Sequence, residues 1–293
     1  MPAWSVWSCR VSISWCKQQF SSFSRYAATM NAPHNEAVAS EAPPRVRRRR
    51  SIDHMWLERG ANHKWGWKHV LFGLLALLLG VVGQSLVARH TSTPLGAFLA
   101  DGVLWTVLIV TVAVAYRISV PRRLLAFRGT DVLFGVSAGL GLRFATDALQ
   151  RSEQGFLAWP QLAQTDGVVP SGWWLGAIVA NLIVAPLVEE FFFRGFLLVA
   201  LYTVFRRITG SPSVAGVAAM LISTAVFLFA QVAAASFSMS VSGVVSVVLL
   251  GLVTAGFVLV TGRLWSAVVA HATFNAVWVL LALVGTMASG VGA

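Results

Sequence analysis

Seven apolar stretches, each near the length that crosses a bilayer, constrain this chain more than any other feature. They run over about Val70–Ala88, Leu95–Tyr116, Val132–Leu149, Trp173–Phe205, Val214–Ala235, Val241–Val260 and Leu264–Val284. The hydrocarbon core is spanned by about 20 helical residues. Backbone polar groups in lipid must be satisfied within the protein, which for runs of this kind means α-helix. The expected fold is therefore all-α: a polytopic membrane helix bundle of about seven transmembrane spans around a polar intramembrane cavity. Composition agrees, with 57% hydrophobic and only 11% charged residues, a balance that excludes an ordinary soluble domain.

The third stretch is the least apolar. It carries Arg143 and Asp147, which are one helical turn apart and placed to pair. The fourth is long, and Pro186 lies inside it, removing a backbone hydrogen bond one turn before a pair of glutamates. A kink there would open the helix beside the carboxylates.

Charge orients the bundle. The net charge of +11 is concentrated in residues 1–69, which hold eleven Lys/Arg against four Asp/Glu. With that tail in the cytoplasm, the inner loops hold Arg117, Arg122, Arg123, Arg128, Arg206, Arg207 and Arg263, and the outer loops only Arg89 and Arg151. This asymmetry supports seven spans with the N-terminus inside. The expected organisation is a disordered basic tail over 1–69, N-terminal transmembrane helices over 70–149, and a catalytic-type core over 172–284. The basic tail fits contact with the lipid bilayer. No nucleic acid is expected as a partner, because no folded basic domain accompanies the tail. Residues 1–29 lack acids and loosely resemble a transit peptide; an equal reading makes Met30 the start. Cys9 and Cys16 lie in this tail and form no metal or redox motif. The default compartment is a bacterial inner membrane.

Within the fourth stretch stands Val188-Glu189-Glu190-Phe191-Phe192-Phe193-Arg194-Gly195-Phe196. A charged group near the bilayer centre costs about 2.5–3.5 kcal/mol on insertion scales, so three of them call for a reason. Glu190 and Arg194 share a helix face and can pair. Glu189 is rotated away by about 100° and is left without that partner. A buried ion pair that locks packing explains two of the three charges and leaves the third for function.

The other polar groups inside the spans are few. Of six histidines only His271 falls within one, and Asn275 follows it on the same face. Gln231 is the most polar residue of the fifth span and by itself reads as interhelical glue. Asp101, Arg143 and Asp147 read as structural. Trp265, Phe274 and Trp278 read as anchors and packing. Carboxylate, imidazole and amide together suit water activation and oxyanion binding. A glutamate in a low-dielectric pocket can serve as general base, and an imidazole with an amide can hold the oxyanion of a tetrahedral intermediate.

The order Glu189-Glu190-x-x-x-Arg194-Gly-Phe, Phe227-x-x-x-Gln231, His271-x-x-x-Asn275 resembles the CPBP family, the CAAX prenyl protease and bacteriocin-processing (Abi) intramembrane proteases. The resemblance covers about residues 172–284, and the first three spans are only generically similar. It implies that Glu189 activates water, that Glu190 and Arg194 support the site, and that His271 and Asn275 form an oxyanion hole. It implies a membrane-embedded or membrane-associated peptide as substrate, of CAAX type or of leader or bacteriocin type. The family's second motif ends in histidine where this chain has Gln231. A glutamine orients water but takes no proton at neutral pH and is a poor zinc ligand, so zinc is disfavoured as a cofactor. Two further readings stay open: an inactive family member acting as a scaffold, immunity or partner-binding protein, and an ion- or proton-coupled carrier. The lack of a visible inverted repeat speaks against the carrier.

Overall fold

A computed structural model describes residues 64–91, 93–154, 159–164 and 167–289. The tail readings, with both cysteines, Met30, His34, His54 and His63, lie outside the described residues. So do residues 155–158 and 165–166, between the third and fourth spans.

Seven helical rods follow one another, with no strand among the described residues. They are α1 (Trp67–Ala88), α2 (Pro94–Ile118), α3 (Gly129–Gln154), α4 (175–209), α5 (Pro212–Ala234), α6 (Val241–Thr261) and α7 (Trp265–Ala288). All except α4 are uninterrupted α-helices long and apolar enough to cross a membrane. Local chemistry sets their ends. Thr93 caps α2 by accepting from the Gly96 N–H at 3.1 Å, with Pro94 at the first helical position. Ser211 with Pro212 starts α5, and Ser240 caps α6 through the Gly243 N–H at 3.1 Å. α4 and α6 stop at Gly210 and Gly262, both left-handed (φ +66° and +65°), where a side chain would be strained.

α4 is unbroken but not uniform. Leu175–Val184 is π-helical, Ala185–Glu190 is α-helical, Phe191–Leu197 is π-helical again, and Leu198–Thr209 is α-helical. Pro186 stands at the start of the short α-helical piece. A proline withholds an N–H and crowds the preceding turn, and wider turns are one way a helix absorbs such a defect. The glutamate pair closes the α-helical piece, and Arg194 lies in the second π-helical piece.

The sequence of α4 is apolar on every side from Phe192 to Val204, apart from Arg194, Gly195 and Thr203, and all thirteen residues are buried. A helix of that kind belongs in the middle of a bundle. The other helices are two-faced: on α1, Leu71, Leu75, Leu78 and Leu79 are exposed while Val70, Leu77 and Val81 are buried. The closest pairings are α1 with α2, α3 with α7, the last piece of α4 with α5, and α5 with α6. Between α3 and α7 the backbones come near because of glycine. A methyl carbon on Gly135 would stand 2.9 Å from the Ser266 carbonyl oxygen, and one on Gly139 2.6 Å from that of Ala270. In lipid, where apolar association gains little, such close contact is what holds helices together. It also seats α3 against the stretch of α7 that carries His271.

Trp65, just before α1, is fully buried, with its ring 6.0 Å from Tyr116 and 5.4 Å from Phe196. Arg143 and Asp147 do form an ion pair, and the guanidinium lies 5.1 Å over the Phe274 ring. Asp101 accepts from Gln84 Nε2 at 2.7 Å.

Candidate active site

The glutamates sit where α4, α5 and α7 meet. Glu190 is fully buried and held from two sides. Arg194, one turn along its own helix, brings Nε to 3.3 Å from Oε2. His271, from α7, brings Nδ1 to 2.9 Å from Oε1. Arg194 is itself fully buried, and Nε, Nη1 and Nη2 make no hydrogen bond among the described residues, so its tie to Glu190 is an ion pair. It also has the face of Phe227, 4.3 Å from the guanidinium carbon, with Phe193 at 5.7 Å. A desolvated cation over an aromatic face gains about 2 kcal/mol. Phe227 thus has a job inside its motif: it lies beneath Arg194 and edge-on to both Phe193 and His271.

Glu189 points elsewhere, as its rotation on the helix requires. Gln231, near the end of α5, donates its Nε2–H to Glu189 Oε2 at 2.9 Å. Among the described residues Oε1 accepts no hydrogen bond. Glu189 keeps 9% of its surface exposed, against none for Glu190. Each glutamate thus accepts one hydrogen bond; the second oxygen of Glu190 is buried against the Arg194 cation, whereas that of Glu189 has no partner among the described residues.

Asn275 lies one turn beyond His271 and donates Nδ2–H to the main-chain carbonyl of Asn181 at 2.7 Å. All six residues singled out in the sequence are thus connected within one region. Glu190, Arg194 and His271 form one set, Glu189 and Gln231 a second, and Asn275 is tied to the first π-helical piece of α4. Asn181 was overlooked in the sequence. Its signal was visible: an amide in an otherwise apolar run, eight residues before Glu189.

A second missed cluster holds α7 in place. Asp131, at the start of α3, is fully buried. Arg263 donates to both of its oxygens, from Nε at 2.9 and 3.1 Å and from Nη2 at 2.7 Å. Ser266 Oγ–H donates at 2.9 Å and the Arg128 N–H at 2.8 Å. Nearby, Trp265 donates Nε1–H to the Leu125 carbonyl at 2.9 Å and lies edge-on to Phe191, the residue after Glu190. These bonds fix the first turn of α7, and His271 follows on the next.

Zinc needs about four ligands drawn from His, Cys and carboxylate. Among the described residues no three of His, Cys, Asp and Glu come together in such a set. Gln231 turns an N–H toward Glu189, while Arg194 and His271 occupy Glu190. This donor set does not fit a zinc ion.

Fold and site together define an integral membrane protein: a helical bundle with a polar centre built from carboxylate, guanidinium, imidazole and amide. Residues 171–277, from just before α4 to within α7, match the family model described as type II CAAX prenyl endopeptidase Rce1-like. That segment is similar to this family, in keeping with the resemblance to the CAAX prenyl protease and bacteriocin-processing family, and α1–α3 lie outside it. No curated protein and no solved structure significantly matches the chain.

Proposed function

We propose that this protein is an intramembrane endopeptidase that hydrolyses a peptide bond of a membrane-associated peptide, of CAAX type or of leader or bacteriocin type. The observation that carries this reading is the unequal treatment of the two glutamates. Glu190 is engaged by Arg194 and His271, whereas Glu189 is steered by Gln231 through one oxygen and free at the other.

In this mechanism Glu189 Oε1 takes a proton from a bound water as the water oxygen adds to the peptide carbonyl carbon. The carbonyl oxygen becomes an oxyanion. His271 donates Nδ1–H to Glu190 and, as the imidazolium, has its Nε2–H left to face the oxyanion. Asn275 has a second Nδ2 hydrogen beyond the one given to Asn181. The C–N bond then breaks and the proton on Glu189 passes to the leaving amine. Arg194 and Phe227 keep Glu190 in place and so keep the imidazole oriented.

The test is cleavage of an internally quenched farnesylated CAAX peptide by protein reconstituted in liposomes. Glu189→Gln is expected to lower the rate by about 10²–10⁴-fold with normal insertion; unchanged cleavage by that variant ends this reading. Gln231 favours a second reading, a scaffold or partner-binding protein, because an amide takes no proton. Gln231→His separates the two. The enzyme reading expects faster hydrolysis. Complete inactivity of both forms on CAAX-type and leader-type peptides selects the scaffold.

We propose that the N-terminus lies in the cytoplasm, on the arginine asymmetry of the loops, with a bacterial inner membrane as the default compartment. Labelling of a cysteine introduced at Arg122 from the cytoplasmic side only is the expected result.

A further inference from the structure

A cavity of about 580 Å³ opens at the other end of α4 from its arginines. α4 and the turn before it contribute Trp173, Gly176, Ala177 and Asn181, and α7 contributes Trp278. The start of α2 and, from the segment between α3 and α4, Leu162, Ala163 and Pro170 complete the wall. That segment is anchored, since the Leu162 N–H is bonded to Thr286 Oγ1 of α7 at 2.9 Å. The volume lies within the usual range for ligand sites, as does a mainly apolar lining with a few polar groups.

Two rows of residues connect this cavity to the glutamates. On α7, His271, Asn275 and Trp278 follow at intervals of four and three and share one face. Along α4, Trp173, Ala177, Asn181 and Glu189 are multiples of four apart. An α-helix over-rotates such a row and a π-helix under-rotates it, so the π-helical Leu175–Val184 piece helps keep it near one line. The rows are joined at their middle by the bond from Asn275 to the Asn181 carbonyl.

We infer that this cavity is a substrate subsite, holding an extended, mainly apolar segment of the peptide on one side of the scissile bond. The inference rests on the peptidase reading. The row from Asn181 to Trp173 is at most about 12 Å long, the α-helical length at about 1.5 Å per residue, since a π-helix rises less, and it has room for about three to four extended residues at about 3.3 Å each. A peptide lying there passes Asn275 on its way to Glu189, which sets its carbonyl beside the amide proposed to receive the oxyanion. The two tryptophans supply flat apolar walls, and Thr93 and Asn181 supply polar contacts for its backbone.

Gly176 gives a direct test, because a methyl carbon built there meets no atom within 4 Å. Gly176→Phe fills the cavity from a position with room for a side chain. Gly102→Phe, at an equally open position on α2 away from the cavity, is the control. The full-length protein in nanodiscs is given a short farnesylated CAAX peptide and two versions extended by about four apolar residues at one end or the other. We expect one extension to lower KM, and Gly176→Phe to raise KM for that probe about tenfold relative to the short one. Gly102→Phe is expected to leave this ratio as in the native chain. Equal KM for all three peptides, or a ratio indifferent to Gly176→Phe, overturns the subsite.

A binding measurement keeps this independent of catalysis. The extended probes carry a photoreactive benzophenone at the added end and are applied to Glu189→Gln protein. Crosslinks to Trp173, Trp278 or their neighbours, lost on adding Gly176→Phe, support the subsite even if no peptide is ever hydrolysed. Crosslinks only to other helices, or crosslinks unaffected by Gly176→Phe, reject it even if the peptidase reading stands.

Discussion

Asp131 and Glu189 are both carboxylates buried in the same bundle, and their surroundings differ in kind. Asp131 receives donors from a guanidinium, a hydroxyl and a backbone N–H, and both oxygens are satisfied. Glu189 receives a single amide N–H and keeps one oxygen open. Asp131 sits where α3 meets the turn leading into α7, and Glu189 sits where three helices leave a little exposed surface. A carboxylate with every lone pair engaged has no capacity for a new proton or a new water, so it serves as a joint. A carboxylate steered by one bond and open at the other oxygen serves chemistry. Burial alone does not distinguish the two; the count of donors does.

The sharpest way to break this comparison is to neutralise each carboxylate in turn. Glu189→Gln should cost activity but not stability. Its melting temperature in detergent should equal or exceed that of the native chain, since an incompletely paired buried charge is removed. A large fall in melting temperature would make Glu189 a joint as well. Arg194→Met should be the most damaging change for the fold, at about 3–5 kcal/mol, because it strands Glu190 in a dry interior. Thermal unfolding of the double variant with Glu190→Gln should show a loss smaller than the sum of the single losses.

Asp131→Asn should be milder and opposite in character to Glu189→Gln. We expect a loss of about 1.5–3 kcal/mol in stability, the scale of hydrogen bonds to a charged group, with an unchanged kcat in the protein that remains folded. A kcat that falls in fully folded protein would show that the joint reaches the chemistry through His271. Gln231→Leu should have the smallest effect, a fall in kcat/KM of at most about tenfold, or about 1.4 kcal/mol, the upper end for one ordinary hydrogen bond. A drop beyond that would mean Gln231 does more than steer Glu189.

Much of this was legible in the residues. The helix starts at Thr93-Pro94 and Ser211-Pro212 and the stops at Gly210 and Gly262 are local signals, as is the separation of Glu189 from Glu190 by one helical step. The pairs Glu190–Arg194 and Arg143–Asp147 follow from a spacing of four. Helical spacing did not give the partner of Glu189, because Gln231 is 42 residues away on another helix, and only the family motif set the two together. The Asp131–Arg263 joint escaped notice for the same reason: it spans 132 residues, and Arg263 alone reads as one more loop charge. Nor did the π-helical pieces announce themselves, beyond the hint of Pro186, since a run of apolar residues suits either winding.

By itself, then, the sequence determined the solvent of this protein and the cast of its centre. Apolar runs of bilayer length admit few structures other than spanning helices, and helical periodicity tells which neighbours on one rod share a face. Only the tertiary structure decided which oxygen stays open, because that depends on which rods stand side by side and how far each has slid along the next. Those choices arise from contacts such as Gly135 and Gly139 against α7, where the absence of a side chain lets two backbones meet. Such contacts join residues far apart in the chain, and local patterning carries no record of them.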